Sequence, residues 1–379
     1  QKEWEDGDRH YFQYAMDTKI LNFYSYLSAH YEVKRDKWND VNIEVYYQKG
    51  HEYNIESMIE ATKQGLAYYT ENFGPYQHRQ FRILEFPRYS TFAQSFPNTI
   101  PFSESIGFIA KVDPKDEEDL DYPYYVTAHE LAHQWWAHQV IGANVQGATV
   151  LSETLSQYSA LMVMEKRFGR DKMARFLQHE MNDYLRSRSG ETKKELPLFL
   201  NENQQYIHYN KGSVMYALKE VVGEKELNAA IKKYADKVHY QEAPFTTATE
   251  FVASLKESLD PKFHPVIDDL MTKITLYDNR IEKNAIKKEA DGTYTVDLDV
   301  LGKKIYVDDK GDENDAAMDQ TFEVTARDAE KKIIFTQRYP LKTGQNHLTI
   351  KLPSQPKSLW LDELGVWIDK NRDDNKVTF

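Results

Sequence analysis

The chain is 379 residues long, enough for a large core and more than one domain. With 41% hydrophobic and 28% charged residues it reads as a globular protein, and its net charge of −12 argues against nucleic acid as a partner, because phosphate binding needs a basic surface. It has no cysteine, which removes disulfide and thiol chemistry, and no run approaches the roughly 18 apolar residues of a membrane-spanning helix.

No Asn-x-Ser/Thr site and no signal-peptide pattern is present. The chain opens at Gln1 in mid-pattern and reads as a processed or excised piece of something longer. Residues 1–50 read as strands. Leu21–Ala29 and Val41–Tyr47 are rich in aromatic and β-branched residues, and the second alternates. Ile55, Met58, Ile59, Ala61, Leu66 and Tyr69 recur at helical spacing, so a helix is expected over 52–73, stopped by Gly74-Pro75. Phe81–Phe86 reads as a strand ended by Pro87. After two prolines, Ser105–Ala110 reads as an edge strand with Glu104 at its mouth. Taken alone, Glu104 is as readily a surface carboxylate as a functional one.

The acidic run Asp113–Asp121 reads as a solvated loop. Helices are expected over 126–136, 152–167, 171–185, 211–235 and 245–259, with a polar loop over 191–205 and helical character continuing through 263–275. Near residue 276 the texture changes. Residues 294–300, 322–326, 333–336 and 347–352 read as short strands, one of them following an Asp291-Gly292 turn signal, and together they predict a β-sandwich of about 100 residues. The domain boundaries are therefore drawn as 1–50, 51–275 and 276–379, and the fold class is α+β.

The chemistry concentrates in residues 126–158. His129-Glu130-x-x-His133 sits in an apolar helical stretch. Residues four apart share a helix face, so both imidazoles point the same way and can hold one Zn²⁺, with Glu130 placed to reach an attacking water. Zinc takes a third protein ligand and keeps one position open for chemistry. Glu153, nineteen intervening residues after His133 and at the start of the next helix, supplies that ligand. Trp135 and Trp136 read as core or pocket wall. In Tyr206-Ile-His-Tyr209-Asn-Lys211-Gly212-Ser, Tyr209 lies just ahead of the expected helix and can donate to a developing oxyanion, with ordinary packing as the alternative.

These residues resemble the zinc aminopeptidases that include aminopeptidase N and leukotriene hydrolase, the gluzincins. His129-Glu130-Leu-Ala-His133-Gln-Trp is similar to their metal helix, Leu151-Ser-Glu153-Thr-Leu to their third-ligand helix, and Tyr209-Asn-Lys211-Gly212-Ser to the motif whose tyrosine stabilises the transition state. Ser103-Glu104-Ser105-Ile-Gly107-Phe-Ile aligns with their exopeptidase motif, although Pro101-Phe102-Ser103 replaces Gly-Ala-Met. The family usually has eighteen residues between the second histidine and the glutamate. That register would land on Ser152, so a one-residue insertion is placed in the loop around 142–147. The resemblance runs from about residue 20 to the end. It covers the tail of an N-terminal β-domain, a thermolysin-like catalytic domain and the small β-sandwich.

What the resemblance implies is a metallopeptidase with one Zn²⁺ per chain on His129, His133 and Glu153, Glu130 as general base and Tyr209 on the oxyanion. Glu104 would hold the α-ammonium of a peptide substrate lying along the expected edge strand. Most of the N-terminal domain and the C-terminal helical domain of the family are missing, a truncation similar to peptidase domains fused to bacterial membrane permeases. This implies a soluble domain exposed from a bacterial membrane protein, with a cytoplasmic protein as the alternative. Two other readings stay open: an endopeptidase of the same chemistry, and a non-catalytic sensor or interaction domain of a membrane complex.

Overall fold

A computed structural model describes residues 2–113, 115–116, 119–190, 194–201, 205–308 and 310–379, with backbone only over 205–212. The chain is a mixed α+β protein, as expected, and forms two compact units, Gln1–Ile141 with Ala235–Pro244 and Gly142–Tyr234 with Phe245–Phe379. Among the described residues no helix is long and apolar enough to cross a membrane.

In the first unit, β1 (Lys2–Asp6) and β2 (Arg9–Gln13) form an exposed hairpin. A four-stranded sheet follows, of β3 (Glu32–Trp38), β4 (Val41–Tyr47), β5 (Gln80–Phe86) and β6 (Thr99–Ser103), in that spatial order. β3 pairs antiparallel with β4, while β4–β5 and β5–β6 are parallel. Helix α1 (Ile55–Phe73) is the crossover that the parallel β4–β5 pair requires. Strand alternation buries Ile43, Val45, Phe81 and Ile83, and the apolar stripe of α1 buries Met58, Ile59, Leu66 and Tyr69.

Two expected strands are absent. Leu21–Ala29 has no ladder partner among the described residues, and its Phe23, Tyr24 and Tyr26 are exposed, so β-propensity alone does not make a strand there. Ser105–Ala110 is a series of turns. The amides of Ile106 and Gly107 both return to the Ser103 carbonyl at 3.3 and 3.2 Å, and that of Ile109 returns to Glu104 at 2.9 Å. The outer edge of β6 is already occupied, with Ser103 N donating to Phe92 O, Gln94 N to Pro101 O, and Phe96 and Thr99 exchanging both bonds. A peptide therefore finds no free strand edge at this place, contrary to the sequence expectation.

Helix α2 (Tyr122–Ala132) also belongs to the first unit. Asp121 caps it from the left-handed region (φ 42°), accepting from the Tyr124 amide, and Pro123 opens it. α1 and α2 approach closely because residue 65 is glycine: a Cβ there would stand 2.7 Å from Leu131 Cδ2. The Tyr69 hydroxyl donates to the Ala128 carbonyl at 2.9 Å across the same contact.

The second unit begins with a single π turn (Val150–Thr154) that leads into α3 (Leu155–Phe168), then α4 (Ala174–Gly190). The helix expected over 211–235 is two helices, α5 (Gln205–Val222) and α6 (Glu224–Val238), separated by Gly223 at φ 105°. α7 (Ala248–Ser258) starts at a capping box of Thr247 and Glu250. The helical stretch continues through short turns and α8 (His264–Ile267) to Thr272, where β7 (Ile274–Tyr277) begins.

All four C-terminal stretches read as strands lie in strands. β8 (Arg280–Lys288), β9 (Tyr294–Gly302) and Gly344–Leu352 form one antiparallel sheet. Asp319–Arg327, Ile333–Lys342, Ser358–Leu361 and Lys376–Thr378 form another, and Lys304–Val307 links β7 to Glu313–Ala316 in a third. Tyr277, Phe322 and Trp367 pack with ring centroids 5.5 to 6.0 Å apart in their core.

A charged cluster ties the helices of this unit to its strands. Arg170 makes two hydrogen bonds to Glu220 (2.8 and 3.3 Å) and two to Glu323 (2.8 and 3.1 Å). Lys219 and Arg338 reach the same Glu220 carboxylate at 2.7 and 2.6 Å.

Candidate metal centre

Helix α2 carries three of the expected site residues. It ends at Ala132, and His133 forms its C-cap, its amide returning to the His129 carbonyl at 3.3 Å. The chain then turns tightly. The Trp136 amide bonds the Ala132 carbonyl at 3.0 Å, and the two tryptophans drop into the core. Trp135 donates to the Gly74 carbonyl at 2.9 Å and packs on Tyr69, and Trp136 packs on Phe73 at 5.0 Å. Both have the wall-and-core role expected of them.

That turn sets the histidine geometry. His133 Nδ1 lies 3.0 Å from the Trp136 carbonyl oxygen, and His133 Nε2 lies 3.1 Å from His129 Nε2. Two nitrogens bound about 2.05 Å from one tetrahedral zinc are about 3.3 Å apart, so this pair fits a shared ion. A Glu130 carboxylate oxygen lies within 4.8 Å of both histidine nitrogens, and Glu130 is buried. The donor set therefore suits zinc: two imidazole nitrogens side by side, with a carboxylate close at hand. His138 is buried beside the pair, and burial, followed by nearby His133, lowers its pKa to about 4.

Glu153 lies in the π turn that precedes α3 and is half-buried, as is Ser152. A π turn within a helix accommodates one residue more than an α turn and is common at functional sites. Tyr209 falls within the span of α5, which starts earlier than the sequence predicts, and its side chain lies outside the described residues.

Glu104 sits in the turn after β6, its amide donating to the Phe86 carbonyl at 2.9 Å. Buried Asn54 ties this turn down, donating to the carbonyls of Gly107 (2.7 Å) and Ala110 (2.8 Å). The Glu104 side chain is 15% exposed, and Arg88 Nε stands 3.7 Å away. Sequence reasoning missed two neighbours. One ring nitrogen of His51 and one oxygen each of Glu85 and Glu104 lie within 4.8 Å of one another. The signal for Glu85 was present: a glutamate in the otherwise apolar end of Phe81–Phe86.

Residues 57–273 match the family model described as the Peptidase family M1 domain. Two curated relatives, named Probable aminopeptidase 2 and Probable aminopeptidase 1 of Sulfurisphaera tokodaii, are each 22% identical, over 285 and 280 residues. Each alignment covers 71% of this chain, and the chain spans 35% of the length of either relative. Among solved structures, Legionella pneumophila aminopeptidase A in complex with aspartic acid is similar with a TM-score of 0.56 at 13% identity, covering 90% of this chain and 38% of that one. At that identity the likeness is one of fold.

Proposed function

The chain belongs to peptidase family M1, and on that premise we propose that it is a zinc metallopeptidase that removes N-terminal residues from peptides. The observation that carries the proposal is the pair of histidine Nε2 atoms 3.1 Å apart on α2, with the buried Glu130 between them in sequence. We assign His129, His133 and Glu153 as the ligands of one zinc ion. The π turn at 150–154 supports Glu153 over Ser152, because it offers the nineteen-residue spacing a place for its extra residue, in the turn itself rather than in the loop around 142–147 where the sequence reading put it. A zinc ion held there would supply Lewis acidity, polarising the scissile carbonyl and acidifying water.

The remaining work falls to side chains. Glu130 takes the proton of the attacking water and delivers it to the leaving amine. Tyr209 donates to the oxyanion. Glu104 accepts the substrate's α-ammonium and so sets the cut one residue from the N-terminus. The turn held by Asn54 presents Glu104 without any need for a strand edge, so substrate binding is assigned to this carboxylate rather than to strand addition. The domain reading goes with this assignment: a thermolysin-like domain over 51–275, the tail of a β-domain over 1–50 and a β-sandwich over 276–379. The chain would act on peptides.

A panel of aminoacyl-fluorophore substrates, each free and N-acetylated, with and without chelator, tests the proposal. Chelator-sensitive release is expected, fast from the free amines and much slower from the acetylated set. Release from the acetylated set at equal rate would identify an endopeptidase, and no turnover of any peptide with zinc present would identify a retired, non-catalytic domain.

A further inference from the structure

His51, Glu85 and Glu104 come from three separate stretches: the loop between β4 and α1, the strand β5, and the turn after β6. The Glu85 side chain is 1% exposed and that of Glu104 15%. Two carboxylates with oxygens within 4.8 Å in such surroundings repel one another unless a cation stands with them. Arg88 approaches Glu104, but its side chain is 72% exposed, and water weakens that pair. His51 brings charge only when protonated.

We propose that His51, Glu85 and Glu104 bind a second divalent transition-metal ion, separate from the one assigned to the α2 histidines. An imidazole nitrogen with two carboxylate oxygens is a donor set suited to zinc, and the histidine disfavours magnesium or calcium. Glu85 is prepared as a ligand. The Gln48 amide donates to its Oε2 at 2.5 Å, and the Tyr31 hydroxyl donates to its backbone carbonyl at 2.8 Å. The other oxygen, Oε1, is hydrogen-bonded to His51 Nδ1. The ion replaces the proton of that bond, as metals do at histidine and carboxylate ligands, and Glu104 closes the site from the adjacent turn. The His51 side chain is 30% exposed, which leaves a route for the ion from solvent.

One consequence rests on the reading of Glu104 given above. An ion here occupies the carboxylate that would receive the substrate's ammonium. Excess zinc should therefore inhibit cleavage of free-amine peptides and spare slow cleavage of N-acetylated ones.

The test is equilibrium dialysis of the whole chain against excess Zn²⁺, with metal counted per folded chain. The parent protein is expected to hold two equivalents. The His129→Ala/His133→Ala double variant should hold one, and His51→Ala or Glu85→Gln should hold one. Circular dichroism establishes which variants are folded, and Glu85→Gln decides the matter if His51→Ala is not. A parent that saturates at one equivalent overturns the proposal, as does a folded Glu85→Gln variant that keeps two. The count in the double variant separates the two sites. If it holds none, the second site fails while the α2 centre stands. If it still holds every ion the parent holds, the α2 centre fails, and the count lost with Glu85→Gln still decides the second site.

Discussion

His133 donates through Nδ1 to the Trp136 carbonyl oxygen, 3.0 Å away. A carbonyl only accepts, so the proton of the neutral ring sits on Nδ1 and the lone pair of Nε2 faces His129. Helix end, tight turn and buried indole together choose the tautomer that a metal needs. Zinc-loaded protein should therefore keep about one tightly held ion per chain through gel filtration. Glu153→Ala should reduce that retained zinc by roughly ten-fold or more, while Ser152→Ala leaves it unchanged. The opposite pattern would shift the third ligand by one residue.

Glu130→Gln separates metal binding from proton transfer. Glutamine matches the shape of Glu130 and cannot take the water's proton. Retained zinc should stay at the parent level and turnover should fall by about 10²–10⁴-fold. Metal analysis and peptide hydrolysis on the same preparation check this. Undiminished turnover with full zinc would remove Glu130 from the mechanism.

The α2 histidines are legible in the sequence because helix geometry makes a four-residue spacing into proximity, and the structure places their nitrogens 3.1 Å apart. Strands β4, β5 and β9 are legible for a similar reason, since alternation maps directly onto one buried face. Leu21–Ala29 carries the same residue types without a partner strand among the described residues, and pairing is a tertiary fact that composition does not contain. The turns over 105–110 carry Ile106, Phe108 and Ile109, residue types that strands favour, yet Phe108 is buried from a turn. His51 and Glu85 are brought together by the β4–α1–β5 crossover, so no local spacing announces them. The π turn is a hydrogen-bond pattern, visible in sequence only as a spacing one residue too long.

The contact of α1 with α2 predicts how the metal helix responds to packing. Leu131, between the two histidines, is fully buried, and a Cβ at position 65 would press on its Cδ2. Gly65→Ala gains about 1 kcal/mol of helix propensity, which offsets much of the clash. Gly65→Val adds two more methyl groups and little propensity, so it should lose about 1–3 kcal/mol. Thermal unfolding should rank glycine and alanine together and valine well below them. A valine variant as stable as the parent would mean that α1 and α2 can separate freely.

Glu220 makes the second unit acid-sensitive. Burial pushes its pKa up, but hydrogen bonds from Arg170, and the charge and hydrogen bond of Lys219, outweigh burial and hold it at about 2, below its ordinary 4.5. A lowered folded-state pKa gives stability that is present above the unfolded value and lost as pH falls through the folded one. At about 1.4 kcal/mol per pKa unit, roughly 3 kcal/mol should disappear between about pH 4.5 and 2. Glu220→Gln should be less stable at neutral pH, since it leaves Arg170 partly uncompensated. Its stability should also fall less steeply over that acid range. Parallel denaturation profiles for parent and variant would assign the acid loss to other carboxylates.

Glu104 separates an aminopeptidase from an endopeptidase. Its backbone is fixed by the Phe86 carbonyl and its turn by Asn54, so the carboxylate is presented from a rigid support although no strand follows it. A charge-assisted hydrogen bond contributes about 1.5–3 kcal/mol. Glu104→Ala should therefore lower kcat/KM on free-amine substrates by about 10–150-fold, at 1.4 kcal/mol per decade. An N-acetylated substrate has no ammonium to lose, and its slow cleavage should be unchanged or slightly faster. The comparison is made at limiting zinc, so that an ion on His51, Glu85 and Glu104 does not mask the carboxylate in the parent. Equal losses on both substrate sets would mean that Glu104 supports the turn and does not read the amine. The neighbouring Asn54→Ala variant then serves as the reference, because loosening the turn should weaken free-amine cleavage through KM, with kcat largely retained.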